Sequence, residues 1–449
     1  MKFIAKFDTY KYILKIALPV IAGLSSQMIV SLVDTAMVGR IEDAQYALAA
    51  MGLGVLATWA LTSFFSSLAT GTHVLTAHNY GRNDYPECGR ILNTSLYISL
   101  MVGFIVGAAG VVSAHSISQF FAADVKVGEY AGDYLYYRFM GIPFFLISVS
   151  YRGFFFGISR TKVFMYSAIL VNLFNIIFNY ILIFGAFGIE PLGLAGAGLG
   201  STLATVCDVI YYIIVASGKS LRTKYHYFRL VKFDSNLSTS LIRLSLPVSF
   251  HNIFLLVGFL SFIAITGLIG TLQQAASQVV MSSLFISFMP SFGFGAAVQT
   301  LVGNNLGRGK LAVAKFYGFE TSKLATLYTF LIGMIFIFLP KLILMLITED
   351  KAIIETAVPA IRIAGFGQIF YAVGVVLANG LQSAGKTLFV MLSEVLINWV
   401  LFVPLSYFLA IYFDFGLVGA WSALPVYVIL YSFIIYIKFR FGSWGNTLK

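Results

Sequence analysis

Asp34 stands in the apolar run from Met28 to Val38, where an ionised side chain deep in a membrane helix costs roughly 2.5 to 3.5 kcal/mol. An acid placed there needs a reason. The plainer alternative is a helix-end aspartate close enough to water to stay charged. Asn172, Asn175 and Asn179 recur at spacings of three and four, so their amides share one helical face that suits an interior better than lipid. They either hold neighbouring helices together or line a site. Thr202, Thr205 and Asp208 add two hydroxyls and an acid to one apolar run, and could line the same cavity. Asp208 could instead reach towards the membrane surface, although Lys219 is eleven residues on, about 16 Å along a helix and too far to pair directly. Glu394 and Asn398 are four apart on one face, suited to a substrate cation or to structural hydrogen bonds. His251 follows Pro247 by one turn and is either a neutral histidine bonded to a neighbouring helix or a proton relay. Gln278 and Gln299 are further polar candidates for the cavity.

The elements that position these groups are membrane helices. Of the 449 residues, 59% are hydrophobic and 10% are charged, with a mean hydropathy of +0.89, whereas water-soluble domains carry about 25% charged residues. Apolar runs lie near 13–38, 47–70, 91–114, 132–157, 163–187 and 194–217, and again near 242–269, 276–302, 316–340, 356–381, 387–412 and 416–438. The expected fold is an all-α polytopic membrane protein of twelve spans. Cys88 and Cys207 are the only cysteines, which excludes a disulfide framework or a cysteine metal cluster.

The net charge of +11 is a matter of topology rather than of nucleic acid. The chain's two ends and the connections on their side hold nineteen Lys and Arg, among them Lys2, Lys6, Arg82, Arg229, Lys232 and Lys449, against Arg40, Lys126, Lys341 and Lys351 opposite. Basic short loops stay cytoplasmic, so both termini are expected inside, and the first span is expected to be retained rather than cleaved. Arg138 and Arg362 occupy matching positions in the two halves and are read as interfacial anchors.

The chain also repeats itself. Ile16-Ala17-Leu18-Pro19-Val20 matches Leu244-Ser245-Leu246-Pro247-Val248, and His78-Asn79-Tyr80-Gly81-Arg82 matches Asn304-Asn305-Leu306-Gly307-Arg308 at an offset of 226. Gly193-Leu194-Ala195-Gly196-Ala197 matches Gly416-Leu417-Val418-Gly419-Ala420. Three matches in order predict two six-helix lobes, 1–218 and 241–449, joined by a basic linker at 219–240 that acts as an orientation signal and tether. Six spans per half insert both lobes the same way up, related by a pseudo-twofold axis along the membrane normal and enclosing a central cleft.

Several of these segments resemble the multidrug and toxic compound extrusion family. Pro19 followed by Val33-Asp34-Thr35-Ala36-Met37-Val38-Gly39-Arg40 and Ala47-Leu48-Ala49-Ala50 is similar to that family's opening signature. Phe288-Met289-Pro290 with Gly293, Gly295 and Leu301-Val302-Gly303-Asn304-Asn305-Leu306-Gly307 resembles its eighth helix, and Gly380-Leu381-Gln382-Ser383-Ala384-Gly385-Lys386-Thr387 its turn between the tenth and eleventh. The resemblance implies a secondary exporter that expels bulky, often cationic and amphipathic compounds from the cytoplasm by alternating access, in exchange for protons or sodium ions. No nucleotide-binding loop suggests ATP as the energy source, and no cofactor is expected.

By the same resemblance Asp34 is the coupling acid, with Asn175 and Asn179 as its partners and Asn172, Thr202, Thr205, Asp208, His251, Gln278, Glu394 and Asn398 as cavity groups. Many relatives carry Asp where Asn179 stands. One carboxylate in place of two offers less to a sodium ion, so protons are favoured over sodium at Asp34, Asn175 and Asn179. The acids that some branches bear in helices 7 and 10 have no counterpart between Pro247 and Leu268 or at Gln368-Ile369-Phe370-Tyr371-Ala372, which resembles the DinF-like branch. The expected setting is a monomer in a bacterial inner membrane, with lipid and small drug-like molecules as partners. The competing readings are a flippase for lipid-linked saccharides, which would have a strongly cationic cavity and often fourteen spans, and an intramembrane enzyme. Against the enzyme, the five histidines form no pair at ligand spacing except His73 and His78, which one helical face cannot easily present together.

Overall fold

The computed structural model describes residues 7–227 and 234–445, so Lys2, Lys6, Arg229, Lys232 and Lys449 lie outside the described residues. Among the described residues there is no strand, and eleven helices are long and apolar enough to cross a membrane, or twelve counting one bent pair as a single span. The spans are α1 Phe7–Val38, α2 Ala44–Gly81, α3 Tyr85–Phe121, α4 the pair Val125–Met140 and Ile142–Gly157, α5 Thr161–Phe184 and α6 Gly193–Ser217. They continue as α7 Ser235–Ile269, α8 Thr271–Gly307, α9 Leu311–Phe338, α10 Lys351–Ser383, α11 Thr387–Tyr412 and α12 Gly416–Phe441. The outward faces are hydrophobic, with Val112 86%, Val400 71% and Leu32 67% exposed. Water would not tolerate such a surface, and hydrocarbon would.

Several helices outrun their apolar segments because polar residues cap them. α3 begins well before the run at 91–114, where the Asp84 side chain accepts from Glu87 N at 3.1 Å and Pro86 occupies the first turn. The loop after α1 is tied to the start of α4, where Lys126 Nζ lies 2.6 Å from Asp43 Oδ2 and holds that exposed carboxyl below the usual carboxylate range.

The chain divides into two compact units, Ala22–Ser249 and the combination of Met1–Ile21 with Phe250–Lys449. Both divisions fall inside helices, α1 and α7. A short helix, Lys219–Tyr225, is docked within the unit Ala22–Ser249, with Tyr225 and Tyr227 buried against Cys88, Phe154 and Tyr212.

The repeat is written into the helix ends. After α2, Asn83 takes a left-handed φ of 63°, Asn83 N donates to Tyr80 O and Asp84 N donates to Asn79 O at 2.9 Å. After α8, Gly309 (φ 72°) donates to Leu306 O and Lys310 N to Asn305 O at 2.9 Å. These are the paired bonds of a Schellman stop. The same stop ends α4 at Ser159 and α10 at Gly385, again 226 residues apart. At α4 and α10 the starts also match: Asp124 accepts from Lys126 N and Val127 N, and Asp350 from Ala352 N and Ile353 N.

The helices between these shared ends diverge. α4 bends by 47° at Gly141. Pro143, in the first turn after the bend, has no N–H to continue the ladder, and Gly141 N turns to Arg138 O. α10 has Ile369 at the position matching Pro143 (143 plus 226) and runs unbroken from Lys351 to Ser383. α11 contains two π-helical stretches, Ile397–Phe402 and Phe408–Tyr412, the first ending just before Pro404.

If both aspartate caps are equivalent, Asp124→Ala and Asp350→Ala should each destabilise the protein by about 1 kcal/mol. Thermal unfolding in detergent should show similar decreases in midpoint for the two variants, and a loss confined to one would contradict the equivalence.

Candidate functional site

The asparagine face of α5 meets α1 and α6. Asn179 Nδ2 donates to Asp34 Oδ1 at 2.8 Å and lies 3.2 Å from Asn175 Oδ1, while Asn175 Nδ2 donates to Ser201 Oγ at 3.0 Å. The result is a hydrogen-bonded line from the α1 carboxyl across α5 to α6. Asn179 is fully buried and Asn175 nearly so, whereas Asp34 is half-buried. Asn172, two turns from Asn179, donates to Ser26 Oγ of α1 at 2.8 Å and so ties the same pair of helices nearer the middle of α1. Gly200 makes the approach of α6 possible, because a Cβ there would run into Asn179 Oδ1. The charge nearest this line in effect is Arg138 of α4, which acts electrostatically on Asp34 and whose Nε is buried without a hydrogen-bond partner. That buried Nε sets it apart from the interfacial anchor its sequence position suggested; Arg362 is exposed and is not its counterpart, because the offset of 226 at both ends of α4 and α10 carries Arg138 to Ala364.

Thr202 and Thr205 bond to backbone. Thr202 Oγ1 donates to Tyr137 O at 2.7 Å, the carbonyl that loses its helical donor when Gly141 N turns to Arg138 O, so this hydroxyl staples the bend of α4. Thr205 Oγ1 donates to Ser201 O within α6 at 2.9 Å. Asp208 is buried and accepts from Ser148 of α4 and, at 2.5 Å, from Ser167 of α5, with the Arg152 charge nearby. Two hydroxyls hold it inside the helix cluster, so it does not reach for the membrane surface.

In the other unit the position of Asp34 is apolar. The offset of 228 between Pro19 and Pro247 carries Asp34 to Phe262, which stacks on Phe402 at 5.1 Å and meets Trp421 edge-on at 5.0 Å. Glu394 is buried one turn from Asn398; it accepts from the Tyr427 hydroxyl, with Tyr371 and Tyr431 also acting on it. Among the described residues no Lys, Arg or His forms an ion pair with Glu394. Asn398, in the first π-helical stretch, is buried against Gly258 of α7 with neither amide atom hydrogen-bonded. His251 has a buried, unbonded Nδ1, and Gln278 is exposed while Gln299 is buried.

Sequence reasoning assembled Asp34 with the asparagines but missed Ser26, Ser148, Ser167 and Ser201 and the tyrosine ring around Glu394. Single serines and tyrosines in apolar helices carry no spacing signal. No group of three or more His, Cys, Asp or Glu suited to a metal ion occurs among the described residues.

Paired helical repeats that bury acids and amides within membrane spans are the construction of a membrane transporter. The MatE family model matches residues 19–181 and again 247–408, once in each half, and the chain belongs to this family of multidrug and toxic compound extrusion transporters, which are not enzymes. It is 25% identical to the probable multidrug resistance protein NorM of Thermotoga maritima over 436 residues, 97% of this chain and 93% of that one. To a protein of the same name from Bacillus cereus it is 24% identical, over 91% of this chain and 90% of the other. An outward-facing multidrug resistance MATE transporter of the MOP superfamily superposes with a TM-score of 0.88 at 18% identity, covering 96% of this chain and 95% of that one. A Pyrococcus furiosus MOP superfamily transporter, described as having a binding pocket of reverse polarity, superposes at 0.86 with 19% identity and the same coverage.

Thr202→Val should leave the Tyr137 carbonyl without its donor and cost about 1 to 3 kcal/mol. Thr205→Val, whose lost bond lies within a single helix, serves as the control. Equal unfolding midpoints for the two variants would show that Thr202 does not hold the bend.

Proposed function

We propose that this chain is a secondary multidrug efflux transporter, moving organic and often cationic amphipathic compounds out of the cytoplasm in exchange for protons by alternating access. The observation that carries the reading is the line from Asp34 through Asn179 and Asn175 to Ser201. An ionised Asp34 accepts the Asn179 N–H; protonation removes the charge, weakens that bond, and favours a different packing of α1 against α5. A proton taken up at Asp34 thereby competes with a cationic substrate held by the same negative charge. The NorM name of the relatives supports the drug class, and both the resemblance and the overall fold support alternating access.

Protons are preferred to sodium because Asn179 presents its N–H to the carboxyl, and Asp34 is the one carboxylate on this line. A sodium ion there would want several oxygens turned inward. Asp208, held by two serines, is assigned to stability. Glu394, ringed by tyrosines, is assigned to substrate contact in the other unit, where aromatic faces and one carboxyl suit an organic cation. The setting proposed is a monomer in a bacterial inner membrane with both chain ends in the cytoplasm, as the charge distribution supports.

Everted vesicles carrying the protein should accumulate ethidium when an acid-inside pH gradient is imposed, because their cytoplasmic face is outside, and a sodium gradient alone should not drive it. Asp34→Asn should abolish proton-driven transport, because the variant has no group to take up the proton, while leaving the unfolding midpoint nearly unchanged. Undiminished proton-driven uptake by this variant, or uptake driven by sodium alone, would contradict the coupling assignment.

Glu394→Gln should behave differently, raising the KM for cationic substrates severalfold while the pH gradient still drives transport. An unchanged KM for every cation, or loss of gradient-driven transport, would remove Glu394 from the substrate path.

A further inference from the structure

A cavity of about 820 Å³ lies wholly within the unit containing Phe250–Lys449, lined by side chains of α9, α10 and α12. No group assigned above belongs to it. Its lining on α9 runs from Phe316 to Phe330, fourteen residues or about 21 Å of helix, so it is a long slot rather than a bowl.

The slot is polar at one end and hydrocarbon at the other. Arg440 sits in the last turn of α12, and Lys315 Nζ donates to Arg440 O at 2.9 Å, which sets the start of α9 level with that end. Lys323 lies about 10 Å further along α9. Beyond it the walls are Leu327, Phe330, Val373 and Leu377.

The charges do not cancel. Glu320 is buried and already satisfied, accepting from Tyr10 Oη at 2.8 Å and pairing with Lys323 Nζ at 2.6 Å. Arg440 donates to Tyr436 Oη at 2.7 Å, and among the described residues no carboxylate pairs with it. Among the described residues the slot therefore keeps at its mouth the Arg440 charge with no carboxylate beside it. Lys323, Leu327 and Phe330 are exposed on the flank of α9, so a molecule entering from the bilayer can reach it.

A cationic drug would meet the wrong sign of charge here, and a small anion would leave the aromatic depth unfilled. We propose that this slot binds an acidic phospholipid of the surrounding bilayer, its phosphate on the Arg440 guanidinium and the Lys323 ammonium and one acyl chain laid along Leu327 and Phe330. The guanidinium fork suits a phosphate, and basic pockets between membrane helices near the surface are where acidic headgroups collect. The exposed lysine deep in an apolar helix then has two partners, Glu320 on the protein side and the lipid phosphate on the other. The site is independent of the coupling residues and stands whichever ion drives transport.

The test is the full-length protein in phosphatidylcholine vesicles containing spin-labelled phosphatidylglycerol or spin-labelled phosphatidylcholine as a minor component. Electron spin resonance reads the share of label held by the protein. The phosphatidylglycerol label should be held about fivefold more tightly, the factor expected for one basic residue acting on an anionic lipid. That preference should vanish in Arg440→Gln and weaken in the double variant Glu320→Gln/Lys323→Gln, which removes the ammonium contact and its ion pair without leaving a buried charge alone but keeps the Arg440 charge. Leu327→Trp should reduce retention by blocking the chain, with an unaltered unfolding midpoint showing that the fold is intact. Equal retention of the two labels, or a preference that survives all three variants, would overturn the proposal. Displacement of the phosphatidylglycerol label by oleate as readily as by unlabelled phosphatidylglycerol would also overturn it, because the site would then belong to free anionic amphiphiles.

Discussion

The hydrogen bond from Asn179 to Asp34 is the interaction on which the rest of the proposed mechanism depends. In hydrocarbon a polar side chain must find its partner within the protein, and a charged one most of all. That requirement explains why α5 turns three asparagines to one side, why α6 carries a glycine at 200 where Asn179 presses against it, and why Ser201 and Ser26 stand where they do. Each amide is anchored by a neighbour on another helix: Asn172 by Ser26, Asn175 by Ser201 and Asn179 by Asp34. The same rule places Asp208 between Ser148 and Ser167, where its two hydroxyl partners make it a clamp among α4, α5 and α6.

The two halves share their frame and differ in their chemistry. Schellman stops at Asn83 and Gly309 and at Ser159 and Gly385, with aspartate caps at 124 and 350, show one design used twice. Helix ends are fixed by backbone bonding, which tolerates little change. Helix faces are free to diverge. Phe262, Phe402 and Trp421 fill with rings the place where the first half holds its acid, and Glu394, a buried carboxyl of that half, sits among phenols. α4 bends where Pro143 stands, whereas α10, with Ile369 at the matching position, runs unbroken.

Much of this was legible in the residues. Twelve spans, the all-α class and the internal repeat follow from hydropathy and from motifs that keep their spacing, because lipid allows few alternatives. Asp34 and the asparagine face were legible for the same reason: polar groups in apolar helices are costly and therefore conspicuous. The Thr202 staple was not legible, since a threonine that rescues a freed carbonyl has the same sequence appearance as one that lines a cavity, and only the bend at Gly141 distinguishes them. The placement of Arg138 was missed because its position near a helix start resembles an interfacial anchor, whereas the fold carries it close enough to act on Asp34. The tyrosines around Glu394 come from α10 and α12, and no periodicity within one helix can announce them.

The central claim is that Asp34 exchanges a proton for a cationic substrate. Proton release on binding tests it most directly: tetraphenylphosphonium is added to the purified protein in weakly buffered detergent solution near the pH at which Asp34 is half-protonated, and a pH indicator is followed. The account predicts a substantial fraction of one proton released per cation bound, approaching one as the pH is lowered until Asp34 is protonated, and no release from Asp34→Asn. Binding without proton release at every pH, or equal release from native protein and variant, would contradict it.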